Sequence, residues 1–477
     1  MLEHFSQEAL KAVMYAQEEA RRAQAALVEV DHLFVGLLRD PGTAAYEVLQ
    51  ARQVDPGLLR RQIQLEMGAR RSPMDLAYSE TVQDVFRLAE AEAHGFGFEK
   101  VESDHLLLAL IEMAEGQALK VLSEAGLNLN HLRWHTLRLR YTKRNAAIRM
   151  ANLDRYSLDL TAELEQGHLA TVVEWEPMVE RLIQYLGMQQ KHNVLLVGEQ
   201  GVGKTALIHA LNQYILDSRI YRRFAHCRVV FLYVDKMLAE AGTSDERLYE
   251  VTQSIMAEIR QSGDIILVIE NIHQLFLAQK KELEFVITQQ LLTLLEEKDT
   301  FCIATTTPHF LTLLEERTNV RHLFQLLQVP EPPAAFCTHI LTQWRPRLEA
   351  HHGLEMVPAA LELAVRLAQD KLPGHLPDSA LSLLDLAAAR KQWQLGKDRQ
   401  SLRMAERQLR HLVEQRALMA EEMAHSAAAQ KAFEQIKADI LRTETQLQRL
   451  QQRLQNDAPR LEAEDVMAAA EHPGGLG

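Results

Sequence analysis

The chain has 477 residues and a formal net charge of −13, with 47% apolar and 25% charged residues. Its length exceeds what one core usually serves, so we expect about three domains. The acidic balance disfavours nucleic acid and anionic membranes as partners. The first ten residues lack the basic start and apolar stretch of a signal peptide, and no apolar run is long enough for a membrane span. Three cysteines at wide, unpatterned spacing argue against a disulfide framework or a zinc site and favour the cytoplasm.

The first 142 residues contain an internal repeat. Asp31-His32-Leu33 recurs 73 residues later as Asp104-His105-Leu106, and the same offset relates Phe5 to Tyr78. Apolar residues at helical spacing predict a small helical bundle in each copy. We expect Ser103 to be the N-cap of a helix in the second copy. The histidine of each copy begins a buried helix, and we interpret it as structural rather than as a metal ligand.

A glycine-rich loop follows the apolar run Val194–Val197 and precedes a helix that opens at Ala206–Ile208. The loop, Gly198–Thr205, has the complete G-x-x-x-x-G-K-T pattern of a phosphate-binding loop. In such loops glycines let the backbone amides close around phosphates, the lysine bridges two phosphates, and the final hydroxyl binds Mg²⁺. We therefore expect ATP and Mg²⁺ as cofactors, bound by Gly198, Gly201, Gly203, Lys204 and Thr205.

A second apolar run, Ile265–Ile269, predicts a strand that ends at Glu270 and Asn271. In related ATPases one acidic residue here holds Mg²⁺ and a second orients the attacking water. Glu270 carries the charge the metal needs, so we predict Thr205 and Glu270 as the metal ligands. Asn271 is neutral and cannot accept a proton, so the catalytic position lacks its usual base.

Several segments in combination resemble the first AAA+ module of Clp unfoldases over residues 152 to 390, and residues 1 to 142 resemble the Clp N-terminal domain. The segments are Lys191–Gly198, Ile269–His273, Cys302–Thr307, Val329–Pro332 and Leu376–Leu381. The resemblance implies that Thr306 senses the γ-phosphate and that Pro377 and Asp378 lie near the adenine. It also implies that the N-terminal domain docks protein substrates or adaptors.

The expected fold is α-rich and multidomain, with an all-α double-repeat N-domain, an α/β P-loop AAA+ core with a helical lid, and an α-helical coiled-coil hairpin. Residues 391–457 carry apolar stripes at helical spacing and predict the hairpin, with its turn near His425–Ala427; one long helix is the alternative. The hairpin is short, as in the ClpC branch. The predicted domains are 1–142, 152–335 (large subdomain), 336–390 (small helical subdomain), 391–457 and a tail over 458–477. We expect one AAA+ module and not the second module of the family.

Four catalytic or mechanical features of the Clp pattern are replaced in this chain. Asn271 replaces the catalytic carboxylate, and His322-Leu323 replaces a pair of arginine fingers, with Arg321 displaced by one position. Gly242–Asp245 replaces an aromatic pore loop, and Val173–Trp175 replaces a segment near the nucleotide base. Loss of these features beside an intact phosphate loop predicts retained nucleotide binding without a power stroke.

We therefore expect an ATP-binding, hydrolysis-impaired Clp-like adaptor or regulatory subunit in protein quality control. It should form homo- or hetero-oligomers, including assemblies with a Clp unfoldase. One alternative is a slow but genuine ATPase and chaperone, in which Glu270 or a neighbouring subunit supplies the base. A second alternative is a scaffold that no longer binds nucleotide.

Overall fold

The computed structural model describes residues 2–63, 76–145, 150–169, 172, 175–217, 219–241, 245–274, 290–297, 299–317, 320–422, 427–456 and 459–471. The chain divides into two compact units. The first comprises Met1–Leu196 and Thr205–Leu327, and the second comprises Val197–Lys204 and Gln328–Gly477. Within the described ranges, no helix is both long and apolar enough to cross a bilayer.

The N-terminal part of the first unit is an all-α double repeat, as predicted. Its helices are α1 (Gln7–Arg22), α2 (Val30–Leu37), α3 (Ala44–Ala51), α4 (Pro56–Gln62), α5 (Glu80–Gly95), α6 (Ser103–Met113), α7 (Gln117–Glu124) and α8 (Leu129–Asn145). Each helix of the second copy begins 73 residues after its counterpart in the first copy. The sequence offset is therefore a structural offset along the whole repeat.

The two copies are joined by a reciprocal pair of backbone bridges. Phe5 bridges to Val101, and Val28 bridges to Tyr78. Phe5 and Tyr78 are equivalent under the 73-residue offset, and both pack edge-on against the ring of Phe86, with centroid distances of 5.4 and 5.2 Å. The copies are thus joined by two backbone bridges and by the contact of Phe5 with Phe86, and a single apolar core spans both copies.

The histidine of each copy closes a helix N-terminus. The Nδ1 atoms of His32 and His105 accept hydrogen bonds from the backbone N–H groups of Glu29 and Glu102 at 3.0 and 2.9 Å. Glu29 and Glu102 are the N-caps of α2 and α6, and each forms a reciprocal capping box with its histidine. The prediction that Ser103 caps α6 is wrong, because its hydroxyl instead accepts from the N–H of Ala44, the first residue of α3.

The rest of the first unit is the large α/β subdomain. Its elements are α9 (Ala151–Tyr156), β1 (Ser157–Asp159), α10 (Leu160–Glu165), α11 (Glu176–Leu186), β2 (Asn193–Val197), α12 (Lys204–Leu216), β3 (Arg228–Leu232), α13 (Val234–Ala241), α14 (Asp245–Ser262), β4 (Ile265–Ile269), β5 (Phe301–Thr306), α15 (Pro308–Arg317), α16 (Val320–Leu323) and β6 (Phe324–Gln328). The strands form one sheet in the order β1-β3-β4-β5-β2-β6. Strands β3, β4 and β5 are parallel, and β1 pairs antiparallel with β3 at the edge.

Strands β2 and β4 confirm the two apolar runs predicted from sequence. Every residue of both strands is buried, as expected for parallel strands covered on both faces. Both strands end at the same edge of the sheet, where the phosphate loop and Glu270 begin. Strand β5 lies between β4 and β2 in the sheet order, so the strands that precede the two predicted motifs are one strand apart.

The second unit contains the small helical subdomain and the hairpin. Its elements are α17 (Ala334–His352), β7 (Glu355–Met356), α18 (Pro358–Lys371), α19 (Asp378–Glu422), α20 (Ala427–Asn456), β8 (Arg460–Leu461) and α21 (Ala463–Glu471). Helices α19 and α20 pack against each other as the predicted hairpin rather than as one long helix. Helix α19 has 45 residues and begins at Asp378, well before the predicted hairpin start at 391. Residues 425 and 426 of the predicted turn lie outside the described residues.

The chain after the hairpin returns to the small subdomain. Strand β8 pairs in parallel with β7, with Leu461 opposite Met356. Leu461, Val466 and Ala469 are fully buried in the core of this unit. Residues 460–471 are therefore part of the small subdomain, which corrects the expectation of a separate tail over 458–477.

Candidate nucleotide site

The phosphate loop requires glycine for two physical reasons. A Cβ on Gly198 would lie 2.6 Å from the carbonyl oxygen of Val329, and one on Gly201 would lie 2.8 Å from the Cβ of Asp378. Gly201 and Gly203 also have φ values of +88° and +100°, which side-chain-bearing residues rarely adopt. The absence of side chains at these glycines therefore lets the loop adopt a conformation in which its backbone amides can bind an anion.

Lys204 and the start of α19 both contact residues of the phosphate loop within the second unit. The Lys204 ammonium donates hydrogen bonds to the carbonyl oxygens of Gly198 and Glu199, both at 2.8 Å. The ammonium is therefore held within the loop. Asp378 is exposed and lies against Gly201 of the phosphate loop, and Pro377 is buried.

Thr205 and Glu270 form the predicted metal-binding pair in the first unit. Thr205 is exposed in the first turn of α12, and its hydroxyl donates to Glu270 Oε1 at 2.6 Å. Glu270 follows the last residue of β4, where the strand ends and its side chain reaches solvent. Hydroxyl and carboxylate oxygens are the ligands that Mg²⁺ prefers, so this pair fits the metal.

His209 is a neighbour of this pair that sequence reasoning missed. It lies one turn after Thr205 on α12, and this i, i+4 spacing is the signal that could have identified it. Burial lowers the pKa of His209, and the nearby Glu270 carboxylate opposes that shift only in part. Burial thus favours the neutral form of this imidazole in the neighbourhood of Glu270.

Asn271 occupies the position of the usual catalytic base in an unusual backbone conformation. Its φ is +49°, in the left-handed region that asparagine tolerates better than most residues. Its N–H donates to Thr305 Oγ1 at 2.9 Å, and its carbonyl accepts from the N–H of Gln274 at 2.8 Å. The side chain is neutral, and the backbone at 271 itself favours asparagine over glutamate.

Thr306, the predicted sensor, is fully buried at the end of β5. Its Oγ1 lies 3.2 Å from Nδ1 of His273. The ring of His273 stacks on Phe310, with centroids 3.9 Å apart and planes 6° from parallel. His273, which had no role assigned from sequence, therefore connects the turn after β4 with the sensor strand.

Comparison with known proteins places this site in a family. Three protein-family models match the chain: the Clp repeat (R) N-terminal domain at residues 4–125, the ATPase family associated with various cellular activities (AAA) at 194–326, and the AAA lid domain at 334–437. The chain belongs to the Clp family of AAA+ proteins. Membership of the AAA ATPases implies nucleotide binding.

Curated relatives support the same assignment. The chain is 30% identical over 407 residues to chaperone protein ClpB of Oceanobacillus iheyensis, which covers 82% of the chain and 50% of that protein. It is 30% identical over 434 residues to chloroplastic chaperone protein ClpC1 of Arabidopsis thaliana, covering 87% and 46%. The ClpC/MecB negative regulator of genetic competence of Bacillus subtilis is 31% identical over 404 residues, covering 82% and 49%. The chain thus spans about half the length of these Clp relatives.

The remaining departures from the Clp pattern are only partly described. Residues 242–244 and 173–174 lie outside the described residues, and Trp175 is the N-cap of α11. The exposed Arg321 pairs with Glu315 at 2.7 Å, and the neighbouring His322 and Leu323 end α16. The guanidinium next to the expected arginine-finger positions therefore has an ion-pair partner in the same chain.

Proposed function

We propose that this Clp-family chain is an ATP-binding, hydrolysis-impaired subunit that acts as a substrate adaptor or regulator in protein quality control. The observation that carries the proposal is Asn271. This neutral residue lies next to the intact Thr205–Glu270 pair, in a backbone conformation suited to asparagine. The chain thus retains the groups that hold nucleotide and lacks the group that activates water.

Nucleotide would be held by residues of the phosphate loop and its neighbours. The loop amides and the Lys204 ammonium bind phosphate oxygens, and Thr205 and Glu270 hold Mg²⁺, which neutralises phosphate charge when it is bound. Asp378, which lies against Gly201, positions the start of α19 beside the bound nucleotide. The buried Thr306 hydroxyl, held by His273, is proposed to report the γ-phosphate.

Impaired hydrolysis follows from the chemistry at position 271. General-base catalysis contributes about 10²–10⁴-fold to a rate, equivalent to about 2.7–5.4 kcal/mol of barrier. An amide cannot accept the proton of the attacking water. We therefore propose that ATP binding, rather than rapid turnover, regulates the protein.

The proposed partners are proteins. The double repeat at residues 1–142 would bind substrates or adaptors, and the chain would assemble with itself or with a Clp unfoldase in the cytoplasm. The names of the relatives support this role, since two of the three compared above are chaperone proteins.

The runner-up is a slow but active ATPase and chaperone. It is favoured by the Thr205–Glu270 pair, which keeps the metal-binding half of the catalytic site. In that case Glu270 or a residue of a neighbouring subunit would supply the base. Steady-state turnover separates this function from the proposed one.

The binding half of the proposal is tested by Lys204→Ala. Loss of the ammonium should weaken ATP binding at least tenfold, about 1.4 kcal/mol, in equilibrium titrations with labelled ATP. Lys437→Ala is the matched control, because Lys437 is an exposed lysine that pairs with Glu434 on the hairpin. Equal affinity of wild type and Lys204→Ala would show that this loop is not the nucleotide site.

A further inference from the structure

Helix α8, the last helix of the double repeat, packs onto the large α/β subdomain within the first compact unit. The indole of Trp134 is fully buried, and its N–H donates to the carbonyl oxygen of Cys227 at 3.1 Å. Cys227 directly precedes β3. Leu108 and Leu137 bury their side chains against Ala225 in the same contact. A buried aromatic anchor with a satisfied hydrogen bond is typical of the centre of a specific interface.

A polar cluster borders this apolar contact. Glu165, the last residue of α10, forms an ion pair with Arg52 of the double repeat. The same carboxylate lies 2.6 Å from Nε2 of His135 on α8. The Glu165 side chain is only 9% exposed, so its charge is withdrawn from water and is compensated by groups of the N-terminal repeats. Paired charges of this kind give an interface orientation as well as attachment.

The charges on the two sides are complementary. The N-terminal side contributes Arg52 and Arg138, and the large subdomain contributes Glu165, Asp159 and Asp264. Burial and the nearby Arg228 lower the pKa of Arg138, and the two aspartates oppose that shift only in part. Arg228 of β3 also pairs with both aspartates, at 3.3 and 3.5 Å, so the acidic side is itself fixed in place.

We infer that α8 and the acidic side of the large subdomain, formed by Asp159, Glu165 and Asp264, make an intrachain docking surface that fixes the double repeat on the large subdomain. The contacts carry both an apolar centre and an oriented ion pair, which a domain on a free tether does not need. Since the partner is covalently attached, the effective concentration favours the docked state. A protein bound by the double repeat is therefore presented in one orientation relative to the ATPase sheet.

The distance between the two docked parts tests this inference directly. Spin labels are attached to Leu58→Cys on α4 and Tyr249→Cys on α14, because both side chains are exposed. The three native cysteines are buried, so they do not compete for the label. Double electron–electron resonance on the full chain should give one narrow distance population. A broad distribution in this otherwise unmodified chain would overturn the inference.

Variants on the large subdomain identify the contacts responsible. Glu165→Arg places a like charge against Arg52, and Ala225→Asp puts a charge into the apolar contact; each should replace the narrow population with a broad one. Adding Arg52→Glu to Glu165→Arg should restore much of the narrow population. Glu163→Gln is the matched control on the same helix, because Glu163 pairs with the exposed His168 instead.

A narrow distribution that persists in both Glu165→Arg and Ala225→Asp would also overturn the inference. Equal broadening in Glu163→Gln and Glu165→Arg would do the same, because the effect would not be specific to the docking contact. Far-ultraviolet circular dichroism verifies that each variant is folded. ATP affinity, measured on the same samples, should be unchanged, so failure of docking and failure of nucleotide binding are distinguishable.

Discussion

Asn271→Glu tests the reason we give for impaired hydrolysis. The change places a carboxylate directly after Glu270, at the end of β4. A positioned general base contributes about 10²–10⁴-fold, so turnover should rise by an order of magnitude or more. The φ of +49° at this position opposes the change, because the left-handed region costs an ordinary residue about 1–2 kcal/mol and asparagine less. We therefore expect the variant to lose about 1 kcal/mol of unfolding free energy while it gains activity.

Steady-state ATP turnover and thermal unfolding are measured on the same samples. Asn271→Gln is the matched control, because glutamine has the length and backbone cost of glutamate without its charge. Both variants should unfold at a lower temperature than the wild type. Only Asn271→Glu should hydrolyse ATP faster.

Two results would refute this reasoning. A similar gain in Asn271→Gln would show that the carboxylate is not the missing group. A wild-type rate comparable to active Clp ATPases, unchanged by Asn271→Glu, would favour the chaperone alternative. If a missing trans-acting charge is equally limiting, the gain should appear only when His322→Arg and Leu323→Arg are added.

Further predictions concern stability, acid sensitivity and assembly. Gly36→Ala should destabilise the double repeat by about 1–3 kcal/mol, because the new Cβ would lie 2.5 Å from the carbonyl oxygen of Ala12. Gly396→Ala is the contrasting change, because a Cβ at Gly396 in α19 would meet no atom within 4 Å. It should stabilise the chain by about 0.5–1 kcal/mol, and thermal melts measure both effects. Burial, together with Arg52 and other cations, lowers the pKa of His135 from 6.5 to about 3. As the pH drops below 6.5, the unfolded chain is therefore protonated at this histidine while the folded chain is not. The free energy of unfolding then falls by at most about 1.4 kcal/mol per pH unit. His135→Asn should therefore lose less stability than wild type between pH 6.5 and 5. Sedimentation should show ATP-promoted oligomers, alone or with a Clp unfoldase, and a monomer under both conditions would count against assembly.

Features encoded by short-range spacing could be predicted from the sequence. The phosphate loop, the strand before Glu270 and the 73-residue repeat each depend on residues close together in the chain, and the structure has all three. The start of α19 at Asp378 was harder to predict, because this one helix belongs both to the small subdomain and to the hairpin. It continues through Gly396, since a single glycine does not end a helix.

Features that depend on distant residues could not be predicted. Strand β8 pairs with β7 about a hundred residues earlier, so Leu461 could not be assigned to the small subdomain from local pattern. The hydrogen bond from Trp134 to Cys227 likewise joins two residues that lie 93 positions apart, in different domains. The left-handed backbone at Asn271 depends on tertiary hydrogen bonds to β5, which no local signal reports.

The most direct test of the central claim measures ATP binding and ATP turnover on one sample of the unmodified protein. The account predicts saturable ATP binding that Lys204→Ala weakens, together with turnover about 10²–10⁴-fold slower than that of an active Clp ATPase. Rapid turnover would contradict impaired hydrolysis, and undetectable ATP binding would contradict the claim that the phosphate loop is functional.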